Sequence, residues 1–164
     1  MSSTASNDAR QYLTFKLGEE VFGVDVAQVR EILDYVKATK IPQTPEFMAG
    51  VINLRGSVVP VIDMRLKFSM ERTERTIDTC IVVLEIFLDD EKILLGALVD
   101  SVQEVFEMEQ SQIEPAPRIG TRIKNEFIRG MGKRDEKFII ILDIDKVFSI
   151  EELEVVRTSG NFNL

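Results

Sequence analysis

Hydrophobic and polar positions along most of this chain follow the pattern of short β-strands joined by tight turns. Residues 12–17 alternate, with the odd-numbered side chains apolar. A turn at residues 18–20 leads into a second apolar stretch, residues 21–24. This segment is therefore predicted to form a β-hairpin.

Three further strand pairs are predicted from continuous apolar runs that are rich in β-branched residues. The first joins residues 50–54 to residues 58–62 through a tight turn that carries Arg55 and Gly56. The second flanks an acidic turn at residues 89–91, and the third occupies residues 130–142 with a charged turn at 134–137. These continuous runs indicate strands that are buried in the core.

Helical spacing occurs in only a few places. Val26, Val29, Ile32 and Leu33 follow one another at intervals of three, three and one, which predicts a short helix with one apolar stripe. The similar residues 99–106 are predicted to form a second short helix. Residues 145–157 combine apolar and acidic positions in a pattern that predicts a C-terminal helix.

An internal repeat relates the two halves of the chain. Segment 46–63 matches segment 126–143 at an offset of 80 residues, and segment 22–33 matches segment 95–106 at an offset of 73. The change in offset predicts a seven-residue insertion after Pro117, in the loop at 118–125. The matched pairs are Glu46/Glu126, Phe47/Phe127, Gly50/Gly130, Asp63/Asp143, Gly23/Gly96, Val26/Val99, Val29/Val102, Glu31/Glu104 and Pro42/Pro115.

These patterns predict a mainly β fold of two pseudo-repeated five-stranded barrels packed together, with short connecting helices and a C-terminal helix. Closed barrels are favoured because closure removes unpaired strand edges. Copy one should cover residues 11–70 and copy two residues 80–144, as parts of a single domain spanning 11–157. Residues 1–10 and 158–164 are expected to be a flexible leader and tail.

Composition and charge narrow the range of functions. The formal net charge of −8 opposes binding to nucleic acid or anionic lipid, and the sequence contains no basic patch that would offset it. The first ten residues lack the basic and apolar regions of a signal peptide, and no apolar run is long enough to span a membrane. We therefore expect a cytoplasmic protein with no nucleic-acid partner, although a barrel that binds nucleic acid through surface aromatic residues stays an open alternative.

The chain offers little for catalysis. It contains no histidine, so the usual general base and the commonest metal ligand are both missing. Its single cysteine, Cys80, begins an apolar run and is predicted to be a core residue. We expect no catalytic residue, metal or cofactor; an enzyme built from Asp, Glu, Arg or Cys80 is the remaining alternative.

The repeat also separates structural residues from functional candidates. Residues present in both copies, such as Gly50 with Gly130, are expected to serve the shared fold. Arg55 and Gly56 have no counterpart in copy two and are functional candidates, with a solvated turn arginine as the simpler interpretation of Arg55. Glu31 is repeated as Glu104, which favours a solvated position.

Several segments together resemble the chemotaxis coupling protein CheW family, over about residues 11–155. They are GVINLRGSVVPVIDMR, GVDVAQVREIL, the IPQTP loop, ALVDSVQEV and EPAP. The resemblance implies two intertwined SH3-like barrels and a non-enzymatic adaptor, monomeric in solution. Its partners would be chemoreceptor tips and the regulatory domain of a CheA-type histidine kinase, in signalling arrays at the membrane. A scaffold for a different kinase pathway is the alternative within the family.

The resemblance also implies where the partners bind. Gly50, Arg55 and Gly56 match positions implicated in receptor coupling. Val29, Glu31 and Ile32 match a surface that faces the kinase or the receptor, and are predicted to bind the kinase. The apolar residues Leu95, Leu98 and Val99 would lie at a groove between the barrels, where a receptor helix could dock, or would belong to the core.

Overall fold

The fold is mainly β, and the computed structural model describes residues 9–88, 90–115 and 125–148. Short 3-10 turns lie at Val26–Gln28, Gln110–Gln112 and Asn125–Phe127, and two four-residue helices, α1 and α2, occupy Met64–Lys67 and Ile144–Val147. The strands are β1 (Ala9–Leu17), β2 (Glu20–Asp25), β3 (Val29–Asp34), β4 (Met48–Leu54), β5 (Ser57–Asp63), β6 (Cys80–Leu88), β7 (Glu91–Val99), β8 (Ser101–Glu109), β9 (Ile113–Glu114), β10 (Ile128–Arg134) and β11 (Lys137–Leu142).

The strands form two sheets that pack together as SH3-like barrels, and each sheet takes strands from both halves of the chain. The first sheet has the order β8-β1-β2-β11-β10-β9, and the second has the order β3-β6-β7-β5-β4. The halves are joined by parallel pairs, β2 with β11 and β5 with β7, while the other strand pairs are antiparallel. A boundary between residues 70 and 80 therefore does not separate the barrels, which are intertwined as the family resemblance implies.

The predicted hairpins are confirmed. β1 and β2 meet at Gly18 and Glu19, and β4 and β5 meet at Arg55 and Gly56. β6 pairs with β7 over the whole of its length, although residue 89 of the connecting turn lies outside the described residues. The charged turn of the last hairpin lies between β10 and β11.

The predicted helix at residues 26–33 is wrong. Only Val26–Gln28 is helical, as a 3-10 turn capped by Asp25, whose carboxylate accepts a hydrogen bond of 2.9 Å from the Ala27 N–H. The remaining residues form strand β3, which pairs with β6 and has a bulge between Val29 and Glu31. The turn and the bulge interrupt the strand alternation, so the apolar spacing imitates a helix.

The second predicted helix, residues 99–106, is also strand. β8 begins at Ser101 and pairs with β1, with an irregular register between Leu13 and Phe15 that again breaks the alternation. The same pairing extends β1 back to Ala9, so residues 9 and 10, which were predicted to belong to the leader, form part of a strand. Residues 1–8 of the predicted leader lie outside the described residues. Of the predicted C-terminal helix, the described part contains only α2; residues 149–157 and the predicted 158–164 tail lie outside the described residues.

Three apolar clusters explain the continuous apolar runs. Each of the two smaller clusters lies inside one barrel, against the concave face of its sheet. The largest cluster lies between the two sheets. In β6, Ile81 and Val83 face the cluster inside the second barrel, whereas Val82 and Leu84 face the cluster between the sheets. Both faces of this strand are therefore buried, and its burial removes enough apolar surface from water to be a main stabilising contribution. Cys80 is buried here, as predicted, and its burial raises the pKa of the thiol.

The repeat is confirmed where the offset is 80. The Asp63 N–H donates to the Phe47 carbonyl at 2.7 Å, and the Asp143 N–H donates to the Phe127 carbonyl at 2.8 Å. The match of Pro42 with Pro115 is wrong by two residues. Val51 and Met131 are equivalent at the offset of 80, and Thr39 bridges to Val51 whereas Glu114 pairs with Met131. Thr39 is therefore equivalent to Glu114, an offset of 75 residues in this segment instead of 73.

Candidate functional site

The turn between β4 and β5 carries an arginine that is paired with strand β3. The Arg55 guanidinium donates hydrogen bonds of 2.5 and 2.8 Å to the two carboxylate oxygens of Glu31. Arg55 and Gly56 both have positive φ, and the Asn53 side chain accepts a 2.8 Å hydrogen bond from the Gly56 N–H. This turn chemistry holds the guanidinium over the neighbouring strand.

The electrostatics of this pair keep both groups charged. The hydrogen bond from Arg55 lowers the pKa of Glu31, and the hydrogen bond to Glu31 raises the pKa of Arg55. An exposed ion pair contributes little to folding stability because water already solvates both partners. A binding partner that presents a carboxylate could therefore take over the arginine at little cost to the fold.

A second charged group lies beside this pair. Glu85 on β6 accepts from Arg30 at 2.9 Å and from Lys92 at 2.7 Å. The Lys92 hydrogen bond, followed by that of Arg30, lowers the pKa of Glu85. The carboxylate is largely shielded while both cations are more than half exposed, so this end of the second sheet presents mainly positive charge.

Exposed apolar side chains lie on strands β3 and β5, which carry or adjoin the Glu31–Arg55 pair. Ile32 on β3 and Val58 on β5 are each about half exposed. Val29 is partly buried and packs against the cluster between the sheets. The structure thus brings Glu31 and Arg55 together and leaves Ile32 accessible, whereas Val29 lies nearer the core.

Leu95 and Val99 are fully buried in the cluster between the sheets. Leu98 is partly buried and packs against the cluster inside the second barrel. Of the two interpretations of this strand, core packing describes Leu95 and Val99, and a partner cannot reach them in this conformation. Gly50 lies where the chain passes close to Thr39, whereas Gly56 has nothing near its missing Cβ.

Sequence comparison of the two halves missed a counterpart of the Glu31–Arg55 pair. Arg55 aligns with Asp135, but Arg134, one residue earlier, reaches Glu104 at 3.6 Å. Its guanidinium also lies 4.8 Å from the centroid of the Phe106 ring, a favourable cation–π contact. The repeat of Glu31 as Glu104 was the signal for this pair, which means that each sheet carries a Glu–Arg pair.

A buried threonine holds Glu104 in position, and its replacement is expected to destabilise the fold. The Thr14 hydroxyl donates to the Glu104 carbonyl at 2.8 Å and accepts from the Glu104 N–H at 3.0 Å, bridging the irregular register between β1 and β8. Thr14→Val should lower the free energy of unfolding by about 1.5 kcal/mol because both backbone groups lose their partner. Chemical denaturation beside Thr14→Ser, which keeps the hydroxyl, tests this; equal stability of the two variants would contradict it.

The described residues show no arrangement typical of an active site. Within them, no three or more Cys, Asp or Glu side chains are grouped as a metal site would require. No buried side-chain nitrogen or oxygen in this part of the chain lacks a hydrogen-bond partner. No helix in the described ranges has the length and apolar character to cross a membrane.

Comparisons with known proteins agree with the fold and the sequence motifs. The sequence model of the CheW-like domain matches residues 11–152. The chain is 37% identical over 147 residues to the chemotaxis protein CheW of Klebsiella aerogenes, covering 90% of this chain and 86% of that protein. It is 32% identical over 149 residues to the CheW of Rhizobium meliloti, covering 91% and 94%.

A solved structure gives the same result. The crystal structure of the scaffolding protein TtCheW from Thermoanaerobacter tengcongensis matches with a TM-score of 0.78 and 37% sequence identity. The match covers 87% of this chain and 90% of that one. Sequence and architecture agree over nearly the whole chain, which belongs to the CheW-like domain family.

Proposed function

We propose that this chain is a non-enzymatic adaptor that couples the cytoplasmic tips of chemoreceptors to a CheA-type histidine kinase. The observation that carries the proposal is family membership across residues 11–152, in relatives that are named chemotaxis proteins. The accessible Glu31–Arg55 pair with its exposed apolar neighbours supports it, because small interfaces of this kind suit reversible assembly. The adaptor would be cytoplasmic and recruited to receptor arrays.

Such an adaptor acts by geometry. A protein that binds both kinase and receptor makes their second contact effectively intramolecular, at a local concentration on the order of millimolar. A change in the receptor then alters kinase activity through its different contacts with the adaptor in each state. None of these steps requires a catalytic group on the adaptor.

Glu31 and Arg55 are best assigned to one partner. They are joined by two hydrogen bonds, so both side chains lie on the same part of the surface. We assign both residues, with Ile32, to the kinase-facing surface. This moves Arg55 from the receptor surface that the resemblance implies to the kinase surface. The receptor is assigned to the line where the two sheets meet, at the partly buried Val29, which the resemblance placed with the kinase, and at its repeat counterpart Val102.

Binding to the kinase is tested by calorimetric titration with the regulatory domain of a CheA-type kinase from the same genome. Arg55→Glu should weaken binding at least tenfold, and Glu31→Ala should weaken it less, because the first reverses an exposed charge. Both variants should keep the melting temperature of the wild type, since an exposed pair contributes little stability. Lys40→Glu makes the same charge change in the segment before β4, next to the Thr39 that bridges to Val51, and should bind normally.

The possible results separate the candidate functions. Saturable binding by the wild type and by Lys40→Glu, together with weaker binding by Arg55→Glu and Glu31→Ala, supports the assigned surface. Absence of binding by the wild type at tens of micromolar would exclude a CheA-type partner. Kinase binding without any effect of added receptors on kinase activity would favour a scaffold of another kinase pathway.

A further inference from the structure

Strand β3 has its bulge between the two surfaces that are assigned to partners. Val29 pairs with Leu84 and Glu31 pairs with Val83, so Arg30 is an extra residue on β3. Cross-strand neighbours lie on one face of a sheet. Leu84 belongs to the cluster between the sheets, whereas Val83 belongs to the cluster inside the second barrel. The bulge therefore places Val29 and Glu31 on opposite faces, although residues two positions apart share a face in a regular strand.

The position of this bulge is a feature with discrete alternatives. A bulge that moves by one position along β3 changes the residue that pairs with Leu84 or with Val83. The face on which Val29 or Glu31 lies changes with it. Two sites are coupled when ligands at both sites favour the same one of two such arrangements.

An ion pair holds the bulge from outside. The Arg30 guanidinium donates to the Glu85 carboxylate on β6 at 2.9 Å, and 55% of the Arg30 side chain is exposed. Glu85 is also bound by Lys92 at 2.7 Å, so the carboxylate is a fixed anchor. An ion pair with so exposed a partner contributes little stability. Arg30 can therefore leave its anchor at low cost.

The equivalent bulge in the first sheet is held from inside. There the β8 residues Gln103 and Glu104 lie opposite Thr14, whose hydroxyl joins the N–H and the carbonyl of Glu104. The matching registers make Gln103 the equivalent of Arg30 and Val83 the equivalent of Thr14. Valine has no hydroxyl, so the bulge in β3 has no such lock and is the easier of the two to move.

We propose that the Arg30 bulge transmits a receptor contact at Val29 to the kinase-facing pair of Glu31 and Arg55, with Arg30 as the positioning residue. A receptor helix at the line where the sheets meet displaces Val29, the bulge moves, and Glu31 withdraws from Arg55. The released guanidinium then binds a carboxylate of the kinase more strongly. This inference rests on the proposed function, because it requires both partners.

Calorimetric titration measures the coupling. The regulatory domain of the kinase is titrated into the protein with and without a saturating cytoplasmic fragment of a chemoreceptor from the same genome. The receptor fragment should strengthen kinase binding at least about fivefold, and the kinase domain should strengthen receptor binding by the same factor. If both partners bind and neither affects the other, the proposal is overturned while the adaptor function stands. If the kinase domain does not bind at all, both fall.

Val83→Thr transfers the lock of the first sheet to the second. Val83 is fully buried, so no partner touches it. Its new hydroxyl should bridge Glu31 as Thr14 bridges Glu104. The variant should bind the kinase domain with the receptor-free affinity of the wild type and should show no receptor effect. A Val83 variant that keeps the whole receptor effect would overturn the proposal.

Val59→Thr is the matched control. It places a hydroxyl in the same buried cluster, opposite Ile52 in a regular part of the β4–β5 ladder. This variant should keep the receptor effect. Thermal unfolding checks both folds, and Val83→Thr should be the more stable because its hydroxyl finds partners at the bulge.

Glu85→Gln removes the anchor and should act in the opposite direction. Without the receptor fragment it should bind the kinase domain more tightly than the wild type, a gain that structural damage would not produce. The receptor effect should shrink at the same time. A change in local charge alone would alter both affinities equally, so an unchanged receptor effect would exclude the role of the anchor.

Hydrogen exchange measured by NMR tests the bulge in the protein alone. The Glu31 N–H should exchange at least about tenfold faster than the Glu104 N–H, which the Thr14 hydroxyl holds. Val83→Thr should slow exchange at Glu31 and leave Glu104 unchanged. Equal exchange at the two positions in the wild type would mean that both bulges are fixed, and the proposal would be wrong.

Discussion

Gly50→Val is expected to lower the free energy of unfolding by more than about 4 kcal/mol and to leave little folded protein. Gly50 has φ of +142°, a conformation that a β-branched residue cannot adopt without strain. A Cβ atom at this position would overlap the carbonyl group of Thr39. That carbonyl cannot move away, because it accepts a 2.9 Å hydrogen bond from the Val51 N–H while the Thr39 N–H donates to the Val51 carbonyl at 2.8 Å.

Gly56→Ala is the matched control. Gly56 also has a positive φ, of +88°, but no atom lies within 4 Å of the position of its missing Cβ. The control should therefore cost only about 1 kcal/mol, from backbone conformation alone. Urea denaturation of both variants measures the difference; a Gly50 variant as stable as the Gly56 variant would mean that the Thr39 bridge does not fix the backbone there.

Asp100→Asn should lower the free energy of unfolding by about 2 kcal/mol at neutral pH, because it removes one side of a partly buried ion pair. The Asp100 carboxylate accepts hydrogen bonds of 2.8 and 2.6 Å from the Arg65 guanidinium and one of 2.7 Å from the Gly18 N–H. These contacts tie α1 and the β1–β2 turn to the end of β7. Exchange of the exposed Asp34 for Asn changes the same charge without breaking a pair, and it serves as the control.

The same variant should change the acid dependence of stability. Burial acts to raise the pKa of Asp100, but the hydrogen bonds from Arg65 and Gly18 outweigh it and the pKa is lowered. A carboxyl group with a lowered native pKa adds stability above about pH 4, its ordinary range, and this contribution is lost as the pH falls through the native pKa. The stability difference between wild type and Asp100→Asn should thus shrink on acidification, and a constant difference from pH 7 to pH 2 would contradict the assignment.

Much of the fold could be predicted from local sequence. The hairpin turns at Gly18 and at Arg55-Gly56 were found because turn residues separate apolar runs, and turn chemistry acts over a few residues. The equivalence of Asp63 with Asp143 could be predicted because both lie in a repeated segment at an offset of 80, and the structure gives them the same hydrogen bond to a phenylalanine carbonyl. Turns and repeated segments can be recognised from residues that are close together in the sequence.

The features that were missed depend on distant segments. The spacing of Val26, Val29 and Ile32 imitated a helix because a turn and a bulge interrupt the strand, and only pairing with β6 reveals this. Arg134 was missed because it does not align with Arg55 in the repeat, where Asp135 takes that position. Its guanidinium nevertheless reaches Glu104, as that of Arg55 reaches Glu31. For Leu95 and Val99 the sequence left receptor docking and core packing open, and only the packing of distant strands shows that both side chains are buried in the cluster between the sheets.

The exchange of strands between the halves affects the protein while it is being synthesised. β1 and β2 leave the ribosome before the other described strands, yet their sheet neighbours β8 and β11 lie at Ser101–Glu109 and Lys137–Leu142. Until those residues emerge, the apolar faces carrying Phe15 and Phe22 remain uncovered, and unpaired strand edges of this kind can join another chain. Strand exchange between neighbouring nascent chains would give swapped dimers, and rapid translation through the second half would favour the correct monomer.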